Sequence, residues 1–220
     1  MSRNRIVAIG VMLVAGCATA TGQVSEVQRL QARSSYEQGV AALSERQLGA
    51  ALTAIQQATT LDPTVASYRN ALGIVFLQLG RPEQALAEFQ GAVKVEPDYA
   101  EAMLNIGVAH AEVQRWAEAV EAYQRALRSP RLLTPDTAHQ NLGVALYNLR
   151  RLPEAEEQLR YAIRLEPQLE AAFYHLGLVL VAQDRKDEAK VAFRRARELA
   201  PNSPFGQAAV ERLKALGEDG

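Results

Sequence analysis

The sequence contains few of the residues that build covalent cross-links, metal centres or nucleic-acid-binding surfaces. Cys17 is its single cysteine, which excludes an internal disulfide and any metal site made of several cysteines. Positive and negative side chains almost balance, with 24 Lys and Arg against 25 Asp and Glu. That balance gives no electrostatic reason to expect nucleic acid as a partner. Hydrophobic residues make up 48% of the chain, which is enough for one domain with a continuous core.

Combinations of residues that could perform catalysis are equally scarce. Around the three histidines (His110, His139 and His175) no carboxylate and nucleophile recur at a spacing that would bring them together. The glycines are isolated, so a phosphate-binding loop is not expected. The acidic stretch at residues 154–157 is better explained by a solvated helix face than by a cation site. The sequence therefore predicts no enzymatic activity, no metal and no cofactor.

The N-terminus resembles the signal of bacterial lipoproteins. Arg3 and Arg5 precede an apolar run at residues 6–15, which is too short for a transmembrane helix but suits an export signal. The run ends at residues 14–17 as Val-Ala-Gly-Cys, which resembles a lipobox. The resemblance implies cleavage before Cys17 and acylation of that residue. Because Ala18 rather than Asp follows, it also implies a lipid anchor on the periplasmic face of the outer membrane. The alternative is an ordinary signal peptide that happens to contain a cysteine.

An internal repeat of about 34 residues organises the rest of the chain. Each repeat contains one glycine at a fixed position, which we call the repeat glycine. Alanines stand 12 and 19 residues after it, a large residue stands between the two alanines, and a proline closes four of the repeats. Small residues let two helices approach, the large residue fills the groove between them, and the proline stops the second helix. The glycines are Gly39, Gly73, Gly107, Gly143 and Gly177, and the large residues are Ile55, Phe89, Tyr123, Leu159 and Phe193.

This pattern resembles the tetratricopeptide-repeat (TPR) family, which implies an all-α fold, a right-handed solenoid of helix-turn-helix repeats. We expect residues 1–16 to be a lipoprotein signal peptide and residues 17–31 to hold the lipidated cysteine, a tether and the start of the first helix. Five repeats should then occupy residues 32–203, as 32–65, 66–99, 100–135, 136–169 and 170–203. Residues 204–220 should form a capping helix and tail.

Two segments depart from the plain repeat. After Ala126 the period lengthens by two residues, and Pro130 and Pro135 predict an extended loop at residues 129–135. Near the C-terminus apolar residues recur at helical spacing, which predicts the cap, with Glu211 and Lys214 on its exposed side. Those apolar residues are Ala208, Val210, Leu213 and Leu216.

Binding is expected on the concave side of the solenoid, which the first helix of each repeat should line. The predicted groove consists of residues three before, one after and four after the repeat glycines, and it is unusually apolar. We expect it to bind an amphipathic helix or a hydrophobic peptide of a protein partner. The groove residues are Tyr36, Val40, Asn70, Ile74, Leu77, Leu104, Val108, Gln140, Val144, Tyr147, Tyr174 and Leu178.

The lipobox and a Thr-Pro-x-x-Ala-x-x-Asn-Leu-Gly string at residues 134–143 together resemble the type IV pilus pilotin lipoproteins, the PilF, PilW and Tgl group. The resemblance implies a non-enzymatic scaffold that helps the outer-membrane secretin to localise and multimerise. The chain departs from that group in having five recognisable repeats and a helix instead of six repeats. The alternative is a TPR lipoprotein adaptor that docks peptidoglycan hydrolases or proteases, as NlpI-like proteins do.

Overall fold

The computed structural model describes residues 24–218, and within that range the chain forms eleven α-helices and no strand. The predicted all-α solenoid is therefore confirmed. Cys17, the signal peptide and most of the expected tether lie outside the described residues. The helices are α1 (Glu26–Ser44), α2 (Leu48–Leu61), α3 (Ala66–Gln78), α4 (Pro82–Val95), α5 (Ala100–Glu112), α6 (Trp116–Leu127), α7 (Pro135–Asn148), α8 (Leu152–Leu165), α9 (Glu170–Ala182), α10 (Lys186–Leu199) and α11 (Pro204–Ala215).

Helices pair as the repeat pattern predicts, from α1 with α2 to α9 with α10. In each pair the repeat glycine of the first helix lies against the large residue of the second. A Cβ atom built on Gly73 would lie 2.4 Å from a ring carbon of Phe89, too close for any other residue. The five large residues are each at most 2% exposed and form the centre of the core.

The turn inside each repeat closes with one residue in the left-handed backbone region. Arg46, Gln114, Arg150 and Asp184 have φ angles of 58–62°, and Gly80 has 68° at the equivalent place. In the third repeat the N–H of Arg115 then donates to the carbonyl of His110 at 2.9 Å, which satisfies a carbonyl at the end of α5. The same turn therefore recurs five times although only one repeat has glycine there.

The first helices and the second helices form two layers, and the two layers differ in how closely their own helices approach one another. Consecutive first helices touch one another along the whole series α1, α3, α5, α7 and α9, whereas the second helices among the described residues contact only first helices. Elements that are closer together lie on the inside of a curved stack. The first helices consequently form the concave layer and the second helices the convex one.

Capping interactions close both ends of the described solenoid. At α1, Ser25 Oγ accepts from the N–H of Gln28 at 3.2 Å, and Gln28 Oε1 accepts from the N–H of Ser25 at 2.9 Å. This pair is the predicted capping box. At the other end α11 packs on α9 and α10, so it occupies the place of a sixth first helix.

The inward face of α11 differs from the sequence prediction. Ala209 and Leu213 are buried together with Gly206, while Ala208 and Val210 are only partly buried. The reason is the close approach of Gly206 to the preceding turn, where a Cβ atom would lie 2.0 Å from the carbonyl oxygen of Ala200. That contact sets the rotation of the helix. Glu211 and Lys214 are exposed, as predicted.

The stretched junction is a seven-residue connection, residues 128–134, between α6 and α7. The other connections between repeats have four residues each. Leu132 inserts into the core and is 8% exposed, whereas its neighbour Leu133 is 82% exposed. Helix α7 begins at Pro135, where the missing N–H costs little. None of the described helices is both long enough and apolar enough to cross a membrane.

Candidate protein-binding groove

The three predicted groove columns do not share one environment. The residues one and four after the repeat glycines, among them Ile74, Leu77, Val108 and Val144, are partly exposed on the concave layer. Val40 is the most open of the groove residues, at 40% exposure. Ile74, Leu77 and Val108 also pack against the buried core, so each of them covers part of the core and faces the groove.

The column three before each glycine lies in the seam between repeats instead of the open groove. Tyr36 stacks on Tyr68 of the next first helix with ring centroids 4.7 Å apart, and Tyr174 lies 5.6 Å from Phe205 of α11. Asn70 is 8% exposed, and its Oδ1 accepts from Asn105 Nδ2 at 3.0 Å. This column therefore joins consecutive repeats.

Leu104 corrects the expectation that every groove residue faces solvent. It belongs to the same column and is only 7% exposed within the main core cluster. Its position on α5 directs it at the following repeat, where the apolar side chain is sequestered.

Gln140 carries an unmet hydrogen-bonding group in the same seam. Its Oε1 is buried and accepts no hydrogen bond from the described residues, while its Nε2 lies 3.5 Å from Asn141 Oδ1. A buried acceptor without a partner costs about 1–3 kcal/mol. The sequence pattern placed Gln140 in the groove but could not reveal this deficit.

Aromatic rings pack against His139 and His175, and each of the three histidines occupies a different place. Burial lowers the pKa of His175 to about 4, and its ring meets Phe205 edge-on at 5.4 Å. His139 Nδ1 lies 2.8 Å from Gln158 Oε1, and its ring packs on Tyr161 at 4.3 Å. Burial also lowers the pKa of His110. Burial at His110 and His175 therefore favours the neutral imidazole.

Two of the three carboxylates at residues 154–157 lie beside arginines. Glu154 pairs with Arg151 at 2.6 Å, and Glu156 pairs with Arg160 at 2.9 Å and Arg185 at 2.5 Å. The guanidinium hydrogen bond of Arg151 lowers the pKa of Glu154 below its usual value. No group of three or more His, Cys, Asp or Glu within residues 24–218 is arranged to hold a metal ion.

Comparison with known proteins places the fold among TPR proteins. The tetratricopeptide-repeat family model matches residues 70–131 and 141–204, which is more than half of the chain. The solved structure of PilF from Pseudomonas aeruginosa superposes with a TM-score of 0.72 and 18% identity, covering 87% of this chain and 94% of PilF. PilW, described as a widely conserved type IV pilus biogenesis factor, superposes with the same TM-score, 20% identity and the same coverage.

Sequence relatives are matched over only part of their lengths. The type IV pilus assembly protein PilF of Pseudomonas aeruginosa is 31% identical over 139 residues, which is 60% of this chain and 53% of PilF. The human protein O-mannosyl-transferase TMTC2 is 31% identical over 100 residues, 45% of this chain and 12% of the transferase. The chain thus spans about half of PilF and a small part of the transferase.

The protein YrrB, described as a TPR protein with an unusual peptide-binding site, shares the fold with a TM-score of 0.63 and 20% identity. TPR folds are mostly non-catalytic scaffolds that bind other proteins. The family match, the five glycine-to-large-residue contacts and the recurring turn agree with one another. On these grounds the chain belongs to the tetratricopeptide-repeat family.

Proposed function

We propose that this chain is a non-enzymatic, pilotin-type assembly factor that binds a type IV pilus secretin subunit and promotes its multimerisation. The observation that carries the proposal is the likeness to PilF, in sequence over 139 residues and in structure together with PilW. The apolar concave columns support it, because they supply a surface for a protein ligand. The seven-residue junction supports it as an irregular feature of the repeat.

The proposal includes the membrane attachment. Acylation of Cys17 would hold the solenoid at the periplasmic face of the outer membrane, where a secretin is assembled. From Ala18 to Val24 the chain could span only about 20–25 Å when extended, so the groove would work close to the bilayer. Each acyl CH₂ contributes roughly 0.8 kcal/mol on burial, and more than one chain gives stable attachment.

Binding at the groove would follow from its apolar, partly exposed side chains. An amphipathic helix of the partner could bury its apolar face against Val40, Ile74 and Val108, with its polar face in solvent.

The test is complementation of a deletion strain with groove variants. Val40→Glu and Val108→Glu place a charge in the groove, and Val191→Glu is the matched control on convex helix α10, where Val191 is 61% exposed. We expect both groove variants to stay helical by circular dichroism, to lose secretin multimers on unheated immunoblots, and to keep secretin monomers. The control should behave as wild type.

Two outcomes would contradict the proposal. Normal secretin multimers in the deletion strain would remove the pilotin role altogether. Normal multimers together with altered levels of cell-wall hydrolases would favour the alternative, an adaptor that docks peptidoglycan hydrolases or proteases. Loss of multimers in the deletion strain but not in the groove variants would keep the role and move the contact away from the concave columns.

A further inference from the structure

The two edges of the solenoid expose different side chains. Second helices end and the next first helices begin at one edge, which we call the junction edge. The short turns inside the repeats lie at the opposite edge, which we call the turn edge. Among residues 24–218 eight large apolar side chains are exposed, and five of them lie at the junction edge. These five are Val27, Leu30, Val95, Leu133 and Leu165.

The turn edge is polar and carries positive charge. Each of its five turns contains at least one arginine, and none of the eight exposed apolar side chains lies in a turn. Placing this edge against an apolar surface would remove water from these charges, which is costly. The junction edge is therefore the one suited to apolar contact. The turn arginines are Arg46, Arg81, Arg115, Arg150, Arg151 and Arg185.

Helix α1 projects beyond the junction edge. Its repeat glycine, Gly39, is the fourteenth residue of the helix, whereas Gly73 is the eighth residue of α3. The six additional residues, 26–31, lengthen α1 by about 9 Å at 1.5 Å per residue. Val27 and Leu30 lie in this extension one turn apart, and each is 63% exposed. The extension thus presents two apolar side chains in front of the edge.

The seven-residue junction presents a third apolar side chain at the same edge. Leu132 is inserted in the core, and the N–H of Leu133 donates to Glu101 Oε1 at 3.2 Å. These contacts hold the backbone of the junction at the start of α5. The side chain of Leu133 nevertheless stays exposed, so its apolar surface is available to something outside the solenoid.

The path of the chain indicates what lies opposite this edge. Val24 leads into α1 at the junction edge and is only seven residues from Cys17. Residues 18–24 can span at most about 20–25 Å. A small domain has a diameter of about 30 Å, so no folded domain fits between the edge and a bilayer that holds Cys17. The bilayer itself is then the apolar surface within reach.

We propose that the junction edge rests on the lipid bilayer, with Val27, Leu30 and Leu133 inserted between the lipid headgroups. The inference rests on the lipid attachment in the proposed function and does not depend on the identity of the protein partner. Insertion of apolar side chains at the headgroup boundary is favourable in proportion to the apolar area that they bury. The helices then stand upright on the membrane, and the concave groove opens parallel to it.

Charge contributes little to this contact. The connections between repeats hold four acidic and two basic side chains, so the edge is not attracted to anionic lipid. The contact should therefore be equally strong on zwitterionic and anionic bilayers. The acidic residues are Asp62, Glu96, Asp98 and Glu166, and the basic ones are Arg128 and Arg131.

The test attaches the full chain to vesicles without relying on acylation in cells. Cys17 is the single cysteine, so the purified chain is coupled through its thiol to a maleimide lipid in phosphatidylcholine vesicles. The photoreactive residue p-benzoylphenylalanine replaces Leu133 or, in two controls, Gln114 at the turn edge and Val191 on convex helix α10. We expect irradiation to give at least fivefold more lipid adduct at Leu133 than at either control, as measured by mass spectrometry.

A pair of double variants separates contact from mere proximity. With p-benzoylphenylalanine at Val27, Leu30→Asp combined with Leu133→Asp should lower the yield of lipid adduct at least fivefold. Val40→Asp combined with Val191→Asp, which replaces two exposed valines away from the edge, should change it less than twofold. Circular dichroism verifies that both double variants are folded.

Several results would overturn the inference. These are equal lipid adducts at Leu133 and Gln114, adducts that form only when phosphatidylglycerol is added, and adducts of Leu133 to a second copy or to residues 1–23 in place of lipid. In intact cells, a Leu133 adduct to another protein without any lipid adduct would also overturn it. Absence of palmitate on Cys17 in cells would instead refute the lipid attachment in the proposed function, and it is measured separately from the vesicle adducts.

Discussion

Gly107 and Tyr123 are in such close contact that a single added carbon at Gly107 would lie 2.4 Å from Tyr123 Cε1. Tyr123 is 2% exposed and is the largest of the fully sequestered side chains. Burial raises the pKa of its hydroxyl above the usual value. The two residues together set how closely α5 and α6 approach.

Gly107→Ala should therefore destabilise the protein by about 1–3 kcal/mol, because the added methyl overlaps a ring that has no free space to enter. Chemical denaturation followed by circular dichroism measures the change. Gly49→Ala is the control, since no atom lies within 4 Å of a Cβ at Gly49 in α2. That variant should be neutral or more stable by up to about 1 kcal/mol. Equal stabilities would show that the helices separate freely.

Gly80→Ala should cost about 1–2 kcal/mol for a purely backbone reason. No atom lies within 4 Å of a Cβ at Gly80, but its φ of 68° is unfavourable for every residue with a side chain. The reverse change in the third repeat, Gln114→Gly, should raise the free energy of unfolding by up to about 1 kcal/mol. Thermal and urea unfolding of both variants would test this, and a shift of the same sign in the two would contradict it.

Leu104→Ala should lower the free energy of unfolding by about 2–5 kcal/mol, since its side chain is buried in the main cluster. Val40→Ala, on the exposed part of the groove, should change it by less than about 0.5 kcal/mol. Urea denaturation of the two variants separates core from surface. Similar small losses would mean that Leu104 is accessible after all.

His175 should make the protein less stable in acid. Its pKa of about 4 in the folded protein lies below the usual 6.5, so the unfolded chain takes up the proton first. The stabilisation by the neutral ring is complete above about pH 6.5 and is lost as the pH falls toward 4. Between pH 7.5 and pH 4.5 the free energy of unfolding of His175→Leu should fall by about 2 kcal/mol less than that of wild type, as measured by urea denaturation. Parallel pH profiles would exclude this origin.

On the lipoprotein proposal, Cys17→Ser should abolish acylation and leave the protein uncleaved at that site or released from the outer membrane. Radiolabelled palmitate incorporation and membrane fractionation are the direct measurements. A matched control is Thr19→Ser, which alters a residue near the proposed lipid site without removing the thiol. Wild-type protein that takes up no label would overturn the lipoprotein proposal.

Sequence periodicity was sufficient to predict the fold because it reports close contacts directly. Glycine at a fixed distance from a large residue, as at Gly73 and Phe89, indicates where two helices meet. Proline and the lengthened period located the irregular junction for the same reason. These features depend on one residue type at one position, so they are visible in the chain itself.

The candidate sites depend on how each helix is rotated about its axis and on how the side chains of a loop are oriented. Residue types alone do not reveal either. Leu104 and Val108 are one helical turn apart and equally apolar, yet only the packing of α5 separates core from groove. Leu132 is buried beside an exposed Leu133 in a junction that contacts Glu96 of the preceding connection and Glu101 of α5, and neither contact can be read from residue types. Four of the five left-handed turn residues were likewise invisible, because they are not glycine.

Because each helix contacts only helices close to it in sequence, we expect the repeats to respond to force as separate units. Within residues 24–218 each helix touches only helices one or two places along the sequence. Tension on the N-terminal end would therefore load the α1–α2 pair first and detach repeats one after another, each resisting with its own interface. At the C-terminal end, α11 and the ion pair between Arg194 and Glu218 add further contacts to the last repeat. The N-terminal repeats of such a solenoid can unfold under load while the C-terminal repeats stay folded and able to bind a ligand.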